Sequence, residues 1–302
     1  MGLCAQARAA AQVQFTTTFA GSAAILTVDE RAAITSHVQA AGAFWIRELE
    51  LGGARSIEVE IGLDDTRPTA NGGSVTSVFV GVVGGRDLFE QGMAGELRTG
   101  TDPNAAAVDV RISFNTNYLR NELWFDPSPS VRSAPVPSNR TDAMSVILHE
   151  FGHALAYNGF ANPASGQPPA TFWSPFDQWM LPGNPVLFNG PRVLINFGSA
   201  PDLTRNNIFH WANSATFKRA APILPIQIGH AGDPLPNLVS CDITSVDAEQ
   251  IKRLPNAVQA LIDELMNGVV YVRGNRYGIS PLDRALLDDV GLPRPVFRNG
   301  FE

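Results

Sequence analysis

The chain is 302 residues long, 44% apolar and 17% charged, enough to bury one large core or two subdomains around a cleft, and too apolar for a disordered polypeptide. A net charge of −7 with no block of Lys or Arg lacks the basic footprint of a nucleic-acid binder, so nucleic acid is not an expected partner. No run approaches the roughly 18 consecutive apolar residues of a membrane span, and two cysteines, Cys4 and Cys241, make no disulfide framework.

In chain order, residues 1–12 are alanine-rich and carry two A-x-A patterns, Ala5-Gln6-Ala7 and Ala7-Arg8-Ala9. They read as the end of a secretory signal, which makes the expected location secreted or periplasmic. "DERAAITSHVQAAGAFWIRELE" places Ile34, Val38, Ala41, Trp45 and Leu49 at helical spacing and is expected to form an amphipathic helix ending at Gly52-Gly53, with His37 on its surface. "SIEVEIGL" alternates Ile57, Val59 and Ile61 with Glu58 and Glu60, the period of a half-buried strand, and "SVTSVFVGVV" and "AVDVRISFN" read as two further strands.

"SNRTDAMSVILHEFGHALAYNG" reads as a second helix, with Ser138 or Thr141 near its start and Gly159 past its end. From Asn162 to Pro236 twelve of the 22 prolines accumulate, and this stretch is read as a mostly irregular insertion forming a cleft wall. Its "FWSPFDQWM" aromatics either line that cleft or pack to pin the loop. "DAEQIKRLPNAVQALIDELM" is helical in pattern but interrupted at Pro255. "SPLDRALLDDVG" is a short helix capped by Ser280, with Leu282, Leu286 and Val290 on one face and Gly291 as its stop. Asp64-Asp65 and Asp288-Asp289 read as solvated turn and helix-end carboxylates in preference to calcium ligands.

The expected organisation is therefore α+β: a leader over 1–12, an N-terminal subdomain with a mixed sheet and the second helix over 13–160, a helix-ended C-terminal subdomain over 161–292, and a tail over 293–302.

The chemistry concentrates in "HEFGHALAYNGF", residues 149–160. On a helix His149 and His153 lie about 40° apart, one turn from each other, while Met144, Ile147, Leu148, Phe151 and Leu155 gather on another face. Two imidazoles at that spacing can reach one Zn²⁺, and Glu150 on their flank is placed to take a proton from water. A third ligand has to come from elsewhere. Ala156 and Gly159 stand where the compact H-E-x-x-H-x-x-G-x-x-H/D pattern needs its glycine and last ligand, which leaves His210 in "NNIFHWANS" or His230 in "IQIGHAGD", or a carboxylate. His230 lies in a glycine-flanked turn that is costlier to order, which favours His210.

The set "HEFGHALAYNGF", "HW", "DELM" and "ISPLDRALLDDVGLP" resembles the leishmanolysin-like branch of the metzincins and its secreted bacterial relatives, over roughly residues 140 to 292. It departs from that branch at Ala156 and in lacking a dense cysteine pattern. The resemblance implies a zincin/metzincin-like catalytic domain, His149, His153 and His210 as zinc ligands, Glu150 as general base and Met266 as the residue of a Met-turn; the ring of Trp211, directly after His210, is expected to shield the metal from bulk water.

The expected function is that of a secreted zinc-dependent endopeptidase acting on protein or peptide substrates, with "AVDVRISFN" as the rim strand that holds an extended peptide. The rivals are a noncatalytic zinc-stabilised binding or adhesion module and a zinc hydrolase of small amides.

Overall fold

The computed structural model describes residues 13–51, 53–105, 107–212, 261–268 and 271–292. Its strands are β1 (Val13–Phe19), β2 (Arg55–Leu63), β3 (Ala70–Ser74), β4 (Ser77–Val83), β5 (Arg86–Gln91) and β6 (Val110–Phe114), with shorter paired segments after β6. Its helices are α1 (Val28–Ile46), α2 (Gly92–Thr99), α3 (Ala143–Leu155), α4 (Pro191–Phe197) and α5 (Pro281–Asp289). The fold is α+β with several small sheets. No helix among the described residues is long and apolar enough to cross a membrane.

The largest sheet has the order β1-β2-β6-β3, parallel except for β3, which runs antiparallel to β6 along the edge. Its inner face follows the alternation of β2: Ile57, Val59 and Ile61 are buried, whereas Ser56, Glu58 and Glu60 point outward. β6 bonds to strands on both sides, so it has no free edge for an added peptide. The rim strand is β3, whose "ANGGS" composition hides it from any propensity scale. β4 and β5 form a hairpin turned by Gly84 and Gly85, both at positive φ as a two-residue type I′ turn requires.

α1 starts in a capping box between Thr27 and Glu30 and packs Ile34, Val38, Ala41 and Trp45 inward. It ends at Ile46, short of Gly52. His37 is not on the surface. It is 1% exposed, donates from Nδ1 to the Ala33 carbonyl (2.8 Å) and accepts at Nε2 from the Asp126 amide (3.0 Å), because the chain around Phe125 crosses this side of α1. Trp45 and Phe15 join α1 and β1 to α3: the indole donates to the Leu148 carbonyl (2.9 Å), and Phe15 meets Phe151 edge-on.

The described part of the insertion, residues 162–212, is more ordered than its proline content suggests. Phe172 and Trp173 add a parallel segment to β5, Phe172 joins Phe89 and Phe160 edge-to-face, and Phe176 packs against Tyr157 and Phe188. Its aromatics therefore pin the loop. α4 was not expected; it opens at Pro191, closes at Gly198 in the left-handed region, and is capped from outside by Asp289, whose carboxylate accepts from the Arg192 and Val193 amides. Asp289 is thus a capping group and not a solvated helix-end charge. Asp64 and Asp65 accept hydrogen bonds from Thr66 and the Thr116 amide, as turn carboxylates do.

α5 has the anticipated Ser280 cap, reciprocated by Asp283, and Gly291 follows it at φ +81°. Arg284 on α5 pairs with Glu48 beyond α1, tying the last helix to the first. Of the helical pattern over 247–266, the described part is the short turn Leu261–Asp263.

Candidate metal centre

α3 begins later than Ser138 or Thr141. Asp142 is its cap, with Oδ2 accepting from the Ser145 amide and hydroxyl and pairing with Arg132 at 2.6 Å. The predicted core face is buried throughout. The opposite side carries His149 and His153 and is covered by residues 207–211 from the insertion and, before α5, by residues 264–268 and Tyr271. Gly152, between the histidines, leaves room for the side chain of buried Met266, which a Cβ there would displace.

Three imidazoles converge at one point. The His149–His210, His153–His210 and His149–His153 Nε2 separations are 3.0, 3.0 and 3.1 Å. Every Nδ1 is already engaged with a backbone carbonyl: His149 with Leu265 (2.8 Å), His153 with Tyr157 (2.6 Å) and His210 with Asn207 (3.1 Å). A carbonyl only accepts, so each Nδ1 carries the proton and each Nε2 presents a lone pair. Burial lowers all three pKa values, His149 to about 3 and His210 well below its usual range, so the rings are neutral at neutral pH. Three lone pairs at this spacing repel one another and lack any proton to share. The spacing lies close to the ~3.3 Å edge of a tetrahedron of imidazoles around zinc, so the group can hold a metal ion.

The surrounding residues hold these rings in place. The Tyr271 hydroxyl donates to the Leu265 carbonyl and lies 2.9 Å from His149 Nδ1. Trp211, next to His210, does not shield the cavity as expected. It is fully buried between Tyr157 and Phe188, and its backbone pairs with Met266 and Gly268, which clamps the His210 segment to the Met266 turn. The ring points inward, and from this segment His210 and Asn207 face the cavity.

Glu150 does not join the trio. It is 5% exposed, lies against β3 at Gly72, and the Gly72 amide faces its carboxylate. Burial raises its pKa to about 8 in spite of that amide; a bound dication beside it lowers the value again. His149, His153, His210 and Glu150 line a cavity of about 330 Å³ together with Ala70 and Asn71 of β3, Tyr118 and Tyr271.

Of the residues singled out in the sequence, His149, Glu150, His153, His210 and Met266 come together; His230, Cys4 and Cys241 lie outside the described residues. Missed were Tyr271, Tyr118 and the whole of β3. No local pattern marks the tyrosines, and β3 is recognisable only from its pairing with β6. Scanned against family models, curated proteins and solved structures, the chain finds no match.

Proposed function

We propose that this protein is a zinc-dependent endopeptidase with a zincin/metzincin-like catalytic domain, acting outside the cytoplasm. The observation that carries the reading is the set of three neutral imidazoles whose Nε2 lone pairs face one another at 3.0–3.1 Å while every Nδ1 is committed to a carbonyl. Only nitrogen donors meet there, the set that suits zinc.

His149, His153 and His210 would hold the zinc, which when bound would supply a Lewis acid able to lower the pKa of water toward 7 and polarise a carbonyl. Glu150, with one flank fixed by Gly72, accepts the proton of the attacking water and returns it to the leaving amine. β3 offers its unpaired edge beside this carboxylate, so an extended peptide can pair with residues 70–72 and present its backbone carbonyl to the centre. His149 is kept in the correct tautomer by Leu265, with Tyr271 bracing that carbonyl. Met266, whose side chain packs against Gly152 between the two helix histidines, takes the Met-turn role in this reading.

The decisive comparison is casein digestion and zinc content for the parent and Glu150→Ala. Zinc retained with digestion lost supports a peptidase. A binding module has no use for a base beside the water, and a small-amide hydrolase leaves casein intact.

A further inference from the structure

A second set of ligand-type groups lies apart from the imidazoles. Glu96 on α2, Asp102 in the loop that follows and Asp109 at the entrance to β6 each bring a carboxylate oxygen within 4.8 Å of the other two. Glu96 is 4% exposed and Asp109 0%. Glu96 Oε2 and Asp109 Oδ1 are both buried and accept from no N–H or hydroxyl donor; the two carboxyls face each other, close enough to share a proton.

Two of the other oxygens are held in place by backbone amides. Asp109 Oδ2 accepts from the Glu58 amide (2.8 Å) and Asp102 Oδ1 from the Asn104 amide (2.8 Å). Arg55, which borders the same cavity, donates from Nε to the Glu96 carbonyl and from Nη1 to the Ala54 carbonyl, and among the described residues no ion pair reaches the three carboxylates. A cavity of about 440 Å³ bordered by Glu58, Glu96, Asp102 and Arg55 opens beside them.

We propose that Glu96, Asp102 and Asp109 form a second, all-oxygen cation site that takes calcium. Buried carboxylates at this separation repel one another unless a proton or a cation stands between them. Oxygens lying 2.3–2.6 Å from a single Ca²⁺ are spread over up to about 5 Å, the spread these three show. An all-carboxylate set selects a hard cation over zinc. Asp102 is exposed, so water from the cavity completes the coordination shell. The ion ties α2, the loop 100–109 and the start of β6 together. The Asp109 carbonyl also receives the Val75 amide (2.9 Å) just beyond β3, so the site braces the far end of the rim strand.

The test is thermal melting of the zinc-loaded full chain, freed of calcium and then titrated with CaCl₂ to about 10 mM. The expected result is a saturable rise in Tm on the order of 5 °C, lost in Glu96→Gln and in Asp102→Asn while both keep their zinc. Asp102 is exposed, so its variant remains informative if Glu96→Gln fails to fold. A flat Tm in the parent overturns the proposal and leaves Glu96 and Asp109 sharing a proton. A rise that persists in Asp102→Asn overturns it as well, because calcium then acts elsewhere.

Discussion

Glu150 and Gly72 touch across the boundary between α3 and β3: a Cβ on Gly72 would stand 2.6 Å from Glu150 Cβ and 3.1 Å from its Oε2. The glycine is what allows the edge strand to lie directly against the carboxylate. Gly72→Ala therefore pushes Glu150 from its position, since the nearest atom is the stem of the side chain and not its mobile end. Proteolysis by this variant is expected to fall by about 10²-fold with zinc content unchanged, because displacement of a catalytic group by about 1 Å costs that much. Unaltered kcat/KM in Gly72→Ala shows that the contact does not position the base.

Zinc affinity should follow the three imidazoles. His149→Ala and His210→Ala are each expected to lose the metal, whereas His230→Ala keeps about one Zn²⁺ per chain. Elemental analysis after dialysis checks this. A zinc-loaded His210→Ala beside a zinc-free His230→Ala contradicts the assignment of the third ligand.

Tyr271→Phe removes the hydroxyl that braces the Leu265 carbonyl and leaves the three ligands in place. A weakening of zinc binding by about 10–100-fold is expected, the usual effect of deleting a group that orients a ligand. Competition with a chromophoric chelator measures it. Parental affinity in this variant reduces Tyr271 to packing against Tyr277.

How much of this was legible in the sequence depends on the range of the interactions. The helix period around His149, the alternation of β2 and the Ser280 cap are local patterns, and each appears where it was expected. His37 was misjudged because its burial comes from residues 123–126, some ninety positions away. The rim strand was misassigned to β6 for a related reason: strength of β-propensity does not tell which strand of a sheet is last, and the edge went to the glycine-rich β3. Asp289 looked like a helix-end charge until α4, invisible in a proline-rich stretch, brought its amides to it. Met266 and His210 were matched through a resemblance; local spacing alone does not reveal that Trp211 joins them.

The burial of His37 has a pH consequence. Desolvation lowers its pKa in the folded chain, and the Asp126 amide occupies the nitrogen that would be protonated. The unfolded chain takes up this proton near pH 6.5, the folded chain only at lower pH. Stability is therefore fully present above about pH 6.5 and declines as pH falls through that value toward the folded pKa. His37→Gln, which keeps an acceptor and cannot titrate in this range, should show a shallower fall in Tm between about pH 7.5 and about pH 5.5 than the parent. The metal ligands titrate alike in both proteins, so the difference isolates His37. Parallel curves show that its proton does not contribute.

The most direct measurement of the central claim is casein cleavage by Glu150→Ala and by the parent, both verified to carry about one Zn²⁺ per chain. A zinc peptidase with Glu150 as its base cleaves casein as the parent and loses about 10²–10⁴-fold of that rate as the variant. Two fully zinc-loaded proteins that are equally inert, or equally active, contradict it.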